Sequence, residues 1–598
     1  MLHYSITPHP NAHQWHIIFT FHHGENATQS IKLANWVAGS YMIRDFAKHI
    51  IHIQAKCNGQ PVPLTQISKN EWHTPAQSGD YQIEYSVYAN DLSVRASLLD
   101  NERGFIDGAC LFLYLPERRD EACQVQFNDL PAGWRIATAL RQPENQENHP
   151  QEQPEKPNYC FQAAHYAALT DCPFELGANI ETLHFTAHGI PHRIALSGHY
   201  PDFDRERLLA DCQKICEHAL AMFLANEAPF SEYLFLLHLG DNIYGGLEHS
   251  NSTALHADRK ALPPRNMAQP TADYTTLLGL ISHEYFHAWN VKTIKPAEFV
   301  PYNLDQETYT EQLWAYEGIT SYYDDLMLAR SQVISPEAYL NLLAQTITRV
   351  HRNAGRKQQT LAQSSFAAWH KYYKQDENSP NAITSYYQQG ALAALCLDAH
   401  LRQNHRPPLD FVMRSLYMQT RLNRSYYTAS EWQQFVQDIT QLNLADFFQA
   451  ALHSTAELPL ESSLKTLGIE LRWYSTPRSD LGKLVSAFPE AAPAADIGCR
   501  AKQQADRATI SHVFTGGSAE QAALKAGDSI IAINGYACTD FIAQTETQIG
   551  DTHTVHYFRH GVLHQTTLTV QAAAANTAYL KIVDNARLQT WMTRGYQR

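Results

Sequence analysis

Residues 271–296 read TADYTTLLGLISHEYFHAWNVKTIKP, and the run at their centre, His283-Glu284-Tyr285-Phe286-His287, decides how the chain is understood. On a helix, positions i and i+4 share one face, so His283 and His287 can grip a single ion while Glu284 sits beside it. The preceding TADYTTLLGLIS is compatible with that helix. Histidine is abundant, at 31 of 598 residues, so an H-E-x-x-H pattern would arise by chance in roughly 0.07 of chains like this one. The motif therefore needs company. Downstream, QLWAYEGITSYYDD (residues 312–325) reads as a second helix, with Glu317 thirty residues after His287. Two histidines and a glutamate make a three-ligand zinc site with an open position for water. Glu284 is then placed as general base toward that water, able to pass its proton to a leaving nitrogen. By spacing alone, Glu317 is one acidic candidate among several.

Working outward, the period of the hydrophobic pattern changes twice. Before about residue 170, HQWHIIFTFHH, HIIHIQAK, YQIEYSVYA, DLSVRASLLD, ACLFLYL and CFQAAHYA are short apolar or alternating runs cut by turn residues, predicting an all-β module of two packed sheets. QPENQENHPQEQPEKPN, residues 142–158, has no apolar residue and reads as a solvated insertion. From about 200 the spacing becomes helical, with YLFLLHLG as a buried strand and helices dominating about 274–455. After about 460, strand-like ATISHVF, DSIIAING, THTVHYFRHG and HQTTLTV predict a small α+β module. The expected division is a β-sandwich-like domain at 1–170, a mainly helical catalytic domain at 171–460, a third domain at 461–575 and a tail at 576–598. The fold class is multidomain α+β.

Composition narrows the partners. A net charge of −14 disfavours nucleic acid or an anionic membrane as the main partner. Ten cysteines without C-x-x-C spacing predict reduced thiols. No window suits a signal peptide or a transmembrane span, which predicts a cytoplasmic protein.

HEYFHAWNVKTIKP (283–296) followed by LWAYEGITSYY (313–323) resembles the glycyl aminopeptidase family of zinc metallopeptidases with a C-terminal PDZ domain, a relative of the thermolysin-like aminopeptidases. The resemblance implies one Zn2+ held by His283, His287 and Glu317, with Glu284 as catalytic base. YGGLEHSNST, from Tyr244, is similar to the relatives' substrate-amine motif. This implies that Gly245, Gly246 and Glu248 bind substrate, with Glu248 pairing to the ammonium of a free N-terminus. The relatives usually have asparagine after that glutamate; His249 follows here. SYYQQG (385–390) looks like the tyrosine motif whose phenol meets the developing oxyanion. Counting back from Gly390 puts that role on Tyr387, with Tyr386 as the alternative. NWVAGSYMIRDFAKHI (35–50) resembles the N-terminal signature, with Ala38 in place of proline; Gly39 to Arg44 read as structural, with an approach to the substrate-binding cleft as the alternative.

TGGSAEQAALKAGDSIIAING (515–535) resembles the strand–helix–strand heart of a PDZ domain, with Asn534-Gly535 as a turn and Leu467-Gly468-Ile469 as a candidate carboxylate-binding loop. The implied partners are peptides with a free N-terminus and a peptide or protein ligand of the PDZ-like domain. The implied activity is zinc-dependent aminopeptidase cleavage after small residues such as Gly or Ala. A PDZ-guided zinc endopeptidase, a non-catalytic peptide-binding protein and an ester or epoxide hydrolase are the competing readings.

Overall fold

A computed structural model describes residues 1–143, 159–422 and 424–593. Most of the polar insertion at 142–158 lies outside the described residues, as do the last five residues of the chain. The chain forms two compact units, Met1–Thr308 with Gln419–Tyr426, and Tyr309–Met418 with Tyr427–Arg598.

The first unit opens with a seven-stranded sheet ordered Tyr159–Ala163, Cys123–Phe127, Leu2–His9, Gln14–His23, Gly79–Tyr88, Ile50–Cys57 and Gln60–Val62. Alternation sets which face is buried. In Gln14–His23 the side chains of Trp15, Ile17, Phe19 and Phe21 turn inward, opposite the inward residues of Gly79–Tyr88 at register pairs such as Phe19 with Ile83. A four-stranded sheet of Arg135–Ala137, Phe174–Gly177, Arg103–Ile106 and Ser97–Leu99 shares the same core. The expected β module is present, with a third, three-stranded sheet of Ser30–Lys32, Glu71–His73 and Thr65–Ser68 beyond the two expected.

Three readings of its segments need correction. ACLFLYL is buried throughout but is not a strand; its first two residues belong to a short 3-10 turn, Gly108–Cys110. Three of its carbonyls are satisfied by side chains instead of a ladder, and only Tyr114 makes a single β-bridge, with Lys32. The Tyr85, Tyr166 and Tyr4 hydroxyls donate to the Leu111, Phe112 and Leu113 oxygens at 2.9, 3.0 and 2.6 Å. Apolar periodicity cannot distinguish that arrangement from a buried strand. CFQAAHYA is a strand only to Ala163, after which His165 caps a helical turn, Tyr166–Thr170, by accepting from the Ala168 N–H. DLSVRASLLD is a strand only over Ser97–Leu99.

The unit continues as a five-stranded sheet ordered Glu181–Ala187, Ile190–Gly198, Tyr233–Gly240, Ser252–Asp258 and Gly245–Glu248. The helix Arg205–Met222 makes the crossover between the parallel strands Ile190–Gly198 and Tyr233–Gly240. Gly245–Glu248 lies at the edge, antiparallel to Ser252–Asp258, and the helix Ala272–Phe286 packs against both.

The second unit contains the expected helices, among them Ile319–Arg330, Pro336–Arg352, Gln388–Gln403 and Ala429–Thr440. It also holds the PDZ-like sheet, Cys499–Gln503, Ala508–Val513, Ser529–Ile533, Thr552–Arg559 and Val562–Thr569, which has its own core. Asn534 and Gly535 both take positive φ, 52° and 84°, as a tight hairpin turn requires. Leu467-Gly468-Ile469 is not part of that sheet. Ile469–Tyr474 pairs instead with Thr577–Ile582 in a separate three-stranded sheet, which corrects its reading as a PDZ loop.

The segment set down as a tail carries structure up to its last described residue. After Thr577–Ile582 comes the helix Asn585–Met592, whose Trp591 is fully buried. Arg330 donates to the Trp591 carbonyl at 2.9 Å and pairs with Asp410 at 2.9 Å, while Tyr323 donates to the same carboxylate at 2.8 Å. The PDZ-like module is tied to the helices by Asn381, which donates to the Val513 carbonyl at 2.8 Å and accepts from the Thr515 N–H at 3.0 Å. All ten cysteines are buried free thiols. Among the described residues no helix is long and apolar enough to cross a membrane.

Replacing Tyr85 with phenylalanine removes the donor to a buried carbonyl without changing shape. Tyr85→Phe should lower the unfolding free energy of the first unit by about 1–3 kcal/mol in urea denaturation. A change below about 0.5 kcal/mol would show that the Leu111 carbonyl has another partner.

Candidate active site

The helix Ala272–Phe286 starts at Thr271, whose hydroxyl accepts from the Tyr274 N–H, and carries Asp273 in its first turn, where a negative charge meets the helix dipole. Leu277, Leu278 and Ile281 are buried along it. The two aromatic residues between the motif histidines anchor its end. Phe286 packs on Phe223, which itself stacks on Trp289 at 4.9 Å, and the Tyr285 hydroxyl lies 2.9 Å from His192 Nε2. With those rings fixed in the core, His283, Glu284 and His287 are directed elsewhere.

The His287 ring can meet the Asn290 carbonyl, 2.8 Å from Nδ1, only as a donor, so its Nε2 carries the lone pair. That Nε2 lies 3.1 Å from Nε2 of His283. Two imidazole nitrogens bound tetrahedrally to one zinc at about 2.0–2.1 Å would stand about 3.3 Å apart, so the donors and their spacing fit such an ion.

Glu284 and Glu248 are both buried, and ligand atoms of Glu248, Glu284 and His287 lie within 4.8 Å of one another. Two carboxylates this close and this dry favour a positive group between them. Glycine makes the room. A Cβ on Gly246 would collide with the Glu284 carboxylate, and a Cβ on Gly39 would collide with that of Glu248. Gly39 also takes φ +94°, in the left-handed region. Gly245 differs, since a Cβ there would meet only ordinary contacts with Arg95 and Val94. Arg95 donates to the Gly246 carbonyl at 2.7 Å and so steadies the edge strand.

Sequence reasoning missed several of these residues. Gly39, for which the signature leaves a structural role or an approach to the substrate cleft, packs against the Glu248 carboxylate. His249, in place of the usual asparagine, puts Nδ1 3.3 Å from Asp171, which also accepts from Lys292 Nζ at 2.6 Å and the Ser250 N–H at 3.0 Å. Burial acts to raise the Asp171 pKa, but Lys292 and then His249 hold its carboxyl well below the usual range. Lys292 could have been found, because it lies inside the HEYFHAWNVKTIKP stretch; no local signal marks Asp171.

The other predicted residues belong to the second unit. Glu317 is buried in a π-helical turn, Trp314–Gly318, that leads into Ile319–Arg330. Wide turns of this kind recur at functional sites. A Cβ on Gly318 would lie 2.6 Å from Gly390 Cα, so this turn and the start of the helix Gln388–Gln403 touch backbone to backbone. Tyr386 and Tyr387 immediately precede that helix, and the Tyr372 ring lies 4.8 and 5.6 Å from theirs. Tyr386 is fully buried, and burial, with smaller contributions from Tyr373 and Glu317, raises its phenol pKa. Tyr387 is only half-buried.

The profile of the M61 glycyl aminopeptidases matches residues 276–393, that of the M61 peptidase N-terminal domain residues 3–178, and that of the PDZ domain residues 491–551. A crystal structure described as an aminopeptidase N family protein from Idiomarina loihiensis is 37% identical, with a TM-score of 0.91 over 99% of this chain and 100% of that one. Legionella pneumophila aminopeptidase A is 11% identical at a TM-score of 0.46, over 76% of this chain and 49% of that one. No curated protein matches the chain. With family matches in its N-terminal, peptidase and PDZ segments and an end-to-end likeness to a relative 37% identical, the chain belongs to the M61 glycyl aminopeptidase family and is an enzyme of the aminopeptidase class.

Proposed function

We propose that the enzyme is a zinc-dependent aminopeptidase that removes small residues, glycine or alanine, from peptide N-termini. The observation that carries this reading is the buried Glu248 carboxylate beside Glu284 and His287, packed against Gly39. A substrate ammonium is the positive group such a pair of carboxylates favours, and a chain without a free amine would leave Glu248 buried and unpaired. An internal peptide bond offers no ammonium, which counts against the endopeptidase reading.

His283 and His287, with Glu317 from the family motif, would hold the zinc, which when bound supplies a Lewis acid to water and to the scissile carbonyl. Glu284 takes the proton of the attacking water and delivers it to the leaving nitrogen. Tyr387 donates its phenol hydrogen to the oxyanion; its partial exposure, against the full burial of Tyr386, supports that choice. The preference for small residues rests on the glycyl in the family's name. The kinship with thermolysin-like aminopeptidases, read from the GGLEH, HEYFH and tyrosine motifs, belongs to the same proposal. So do a PDZ groove that takes a peptide as an added strand and a cytoplasmic location, which ten unpaired thiols support.

Two substitutions test the reading. Glu248→Ala should cut kcat/KM on a glycyl anilide by about 10–100-fold, the worth of a charge-assisted contact, and affect N-acetylated peptides far less. Equal losses on both would favour the endopeptidase. Gly246→Ala pushes the Glu284 carboxylate out of place, so kcat should fall at least about tenfold with zinc content unchanged. An unchanged kcat would show that Glu284 need not stand where Gly246 lets it.

A further inference from the structure

A cavity of about 640 Å³ opens in the first unit, within the roughly 300–1,000 Å³ range of small-ligand sites. It adjoins the amine site along the chain at two points. His249, the residue after Glu248, lines it, and so do Val37 and Ala38, which precede Gly39. Its charged lining is Arg119, Arg141, Lys292 and Lys295 against Asp120 and Asp171. That is a surplus of two cations in a chain of net charge −14.

The cations are not equally committed. Lys292 is paired with Asp171 at 2.6 Å. Among the described residues, no carboxylate comes within ion-pair reach of Lys295 or Arg119. Lys295 rests 5.7 Å from the Tyr302 ring centroid and is largely desolvated; burial, then Lys292, depresses its pKa. Arg119 stacks 4.9 Å from the Tyr114 ring centroid, and its Nε is buried without a hydrogen-bond partner. His249 is 2% exposed, and its Nε2 is likewise buried and unpartnered. Two half-buried cations without a carboxylate partner, one of them with an unused buried N–H, line the cavity, and such a lining suits an anion. A guanidinium fork suits a planar carboxylate, which it can meet with two parallel hydrogen bonds.

We infer that this cavity receives the C-terminal carboxylate of a short peptide on Lys295 and Arg119, so that the preferred substrates carry both a free amine and a free carboxylate. The inference rests on the reading of Glu248 as the amine partner and adds the other end of the substrate.

The test is binding of Gly-Ala-Ala and of its C-terminal amide to the full-length, zinc-loaded Glu284→Gln protein, followed by calorimetry. The free acid should bind at least about tenfold more tightly than the amide. Lys295→Met in the same background should bring the two within about twofold, and Lys295→Arg should preserve the difference. A Gly-Ala-Glu amide separates a side-chain carboxylate from a terminal one and should bind like the plain amide; inorganic phosphate should bind more weakly than the acid. Equal binding of acid and amide, a ratio indifferent to Lys295→Met, or tighter binding of phosphate or the glutamyl amide would overturn the inference. Turnover of a glycyl anilide, which has no carboxylate, reports separately on the aminopeptidase reading. Anilide cleavage without an acid preference defeats the cavity assignment alone. An acid preference without anilide cleavage defeats the aminopeptidase reading alone.

Discussion

Two carboxylates, Glu248 and Glu284, are buried within a few ångströms of His287, and much of the first unit is arranged to tolerate them. Negative charges held this close in a dry setting favour a positive group between them. Glycine clears the space on two sides, Gly246 under Glu284 and Gly39 against Glu248. Arg95 holds the edge strand through the Gly246 carbonyl. The N-terminal β module thereby helps to position these carboxylates, because Gly39 and Arg95 both come from it.

The same logic of satisfying buried polar groups runs through the rest of the structure. Three tyrosine hydroxyls meet three consecutive carbonyls in the first core, replacing a strand ladder. In the second unit the fully buried Arg330–Asp410 pair is completed by Tyr323 and the Trp591 carbonyl, which makes the final helix an integral element. Removing one member of such a pair costs about 3–5 kcal/mol, since it strands the other charge.

Much of this was legible from residue order. The i, i+4 histidines, the period change near residue 200 and the Asn534-Gly535 turn are local signals, and local signals survive folding. The PDZ-like strands and the long helices follow from the same periodicities. What stayed hidden depends on residues distant in sequence. ACLFLYL has the composition of a strand, and only the tyrosines at 4, 85 and 166 reveal why it is not one. Gly39 becomes part of the site because Glu248 lies against it, and Asp171 because Lys292 and His249 converge on it. Gly245 and Gly246 look alike in the motif, but only Gly246 is sterically demanded.

The claim on which the account turns is that the histidine pair holds a metal and that Glu284 acts beside it without being a ligand. Metal analysis of wild type and Glu284→Gln by inductively coupled plasma mass spectrometry, paired with turnover of a glycyl anilide, tests it most directly. The account predicts one zinc per chain in both proteins and a loss of turnover of about 10²–10⁴-fold in the variant. Loss of the zinc from Glu284→Gln, or substantial activity retained by it, would contradict that assignment.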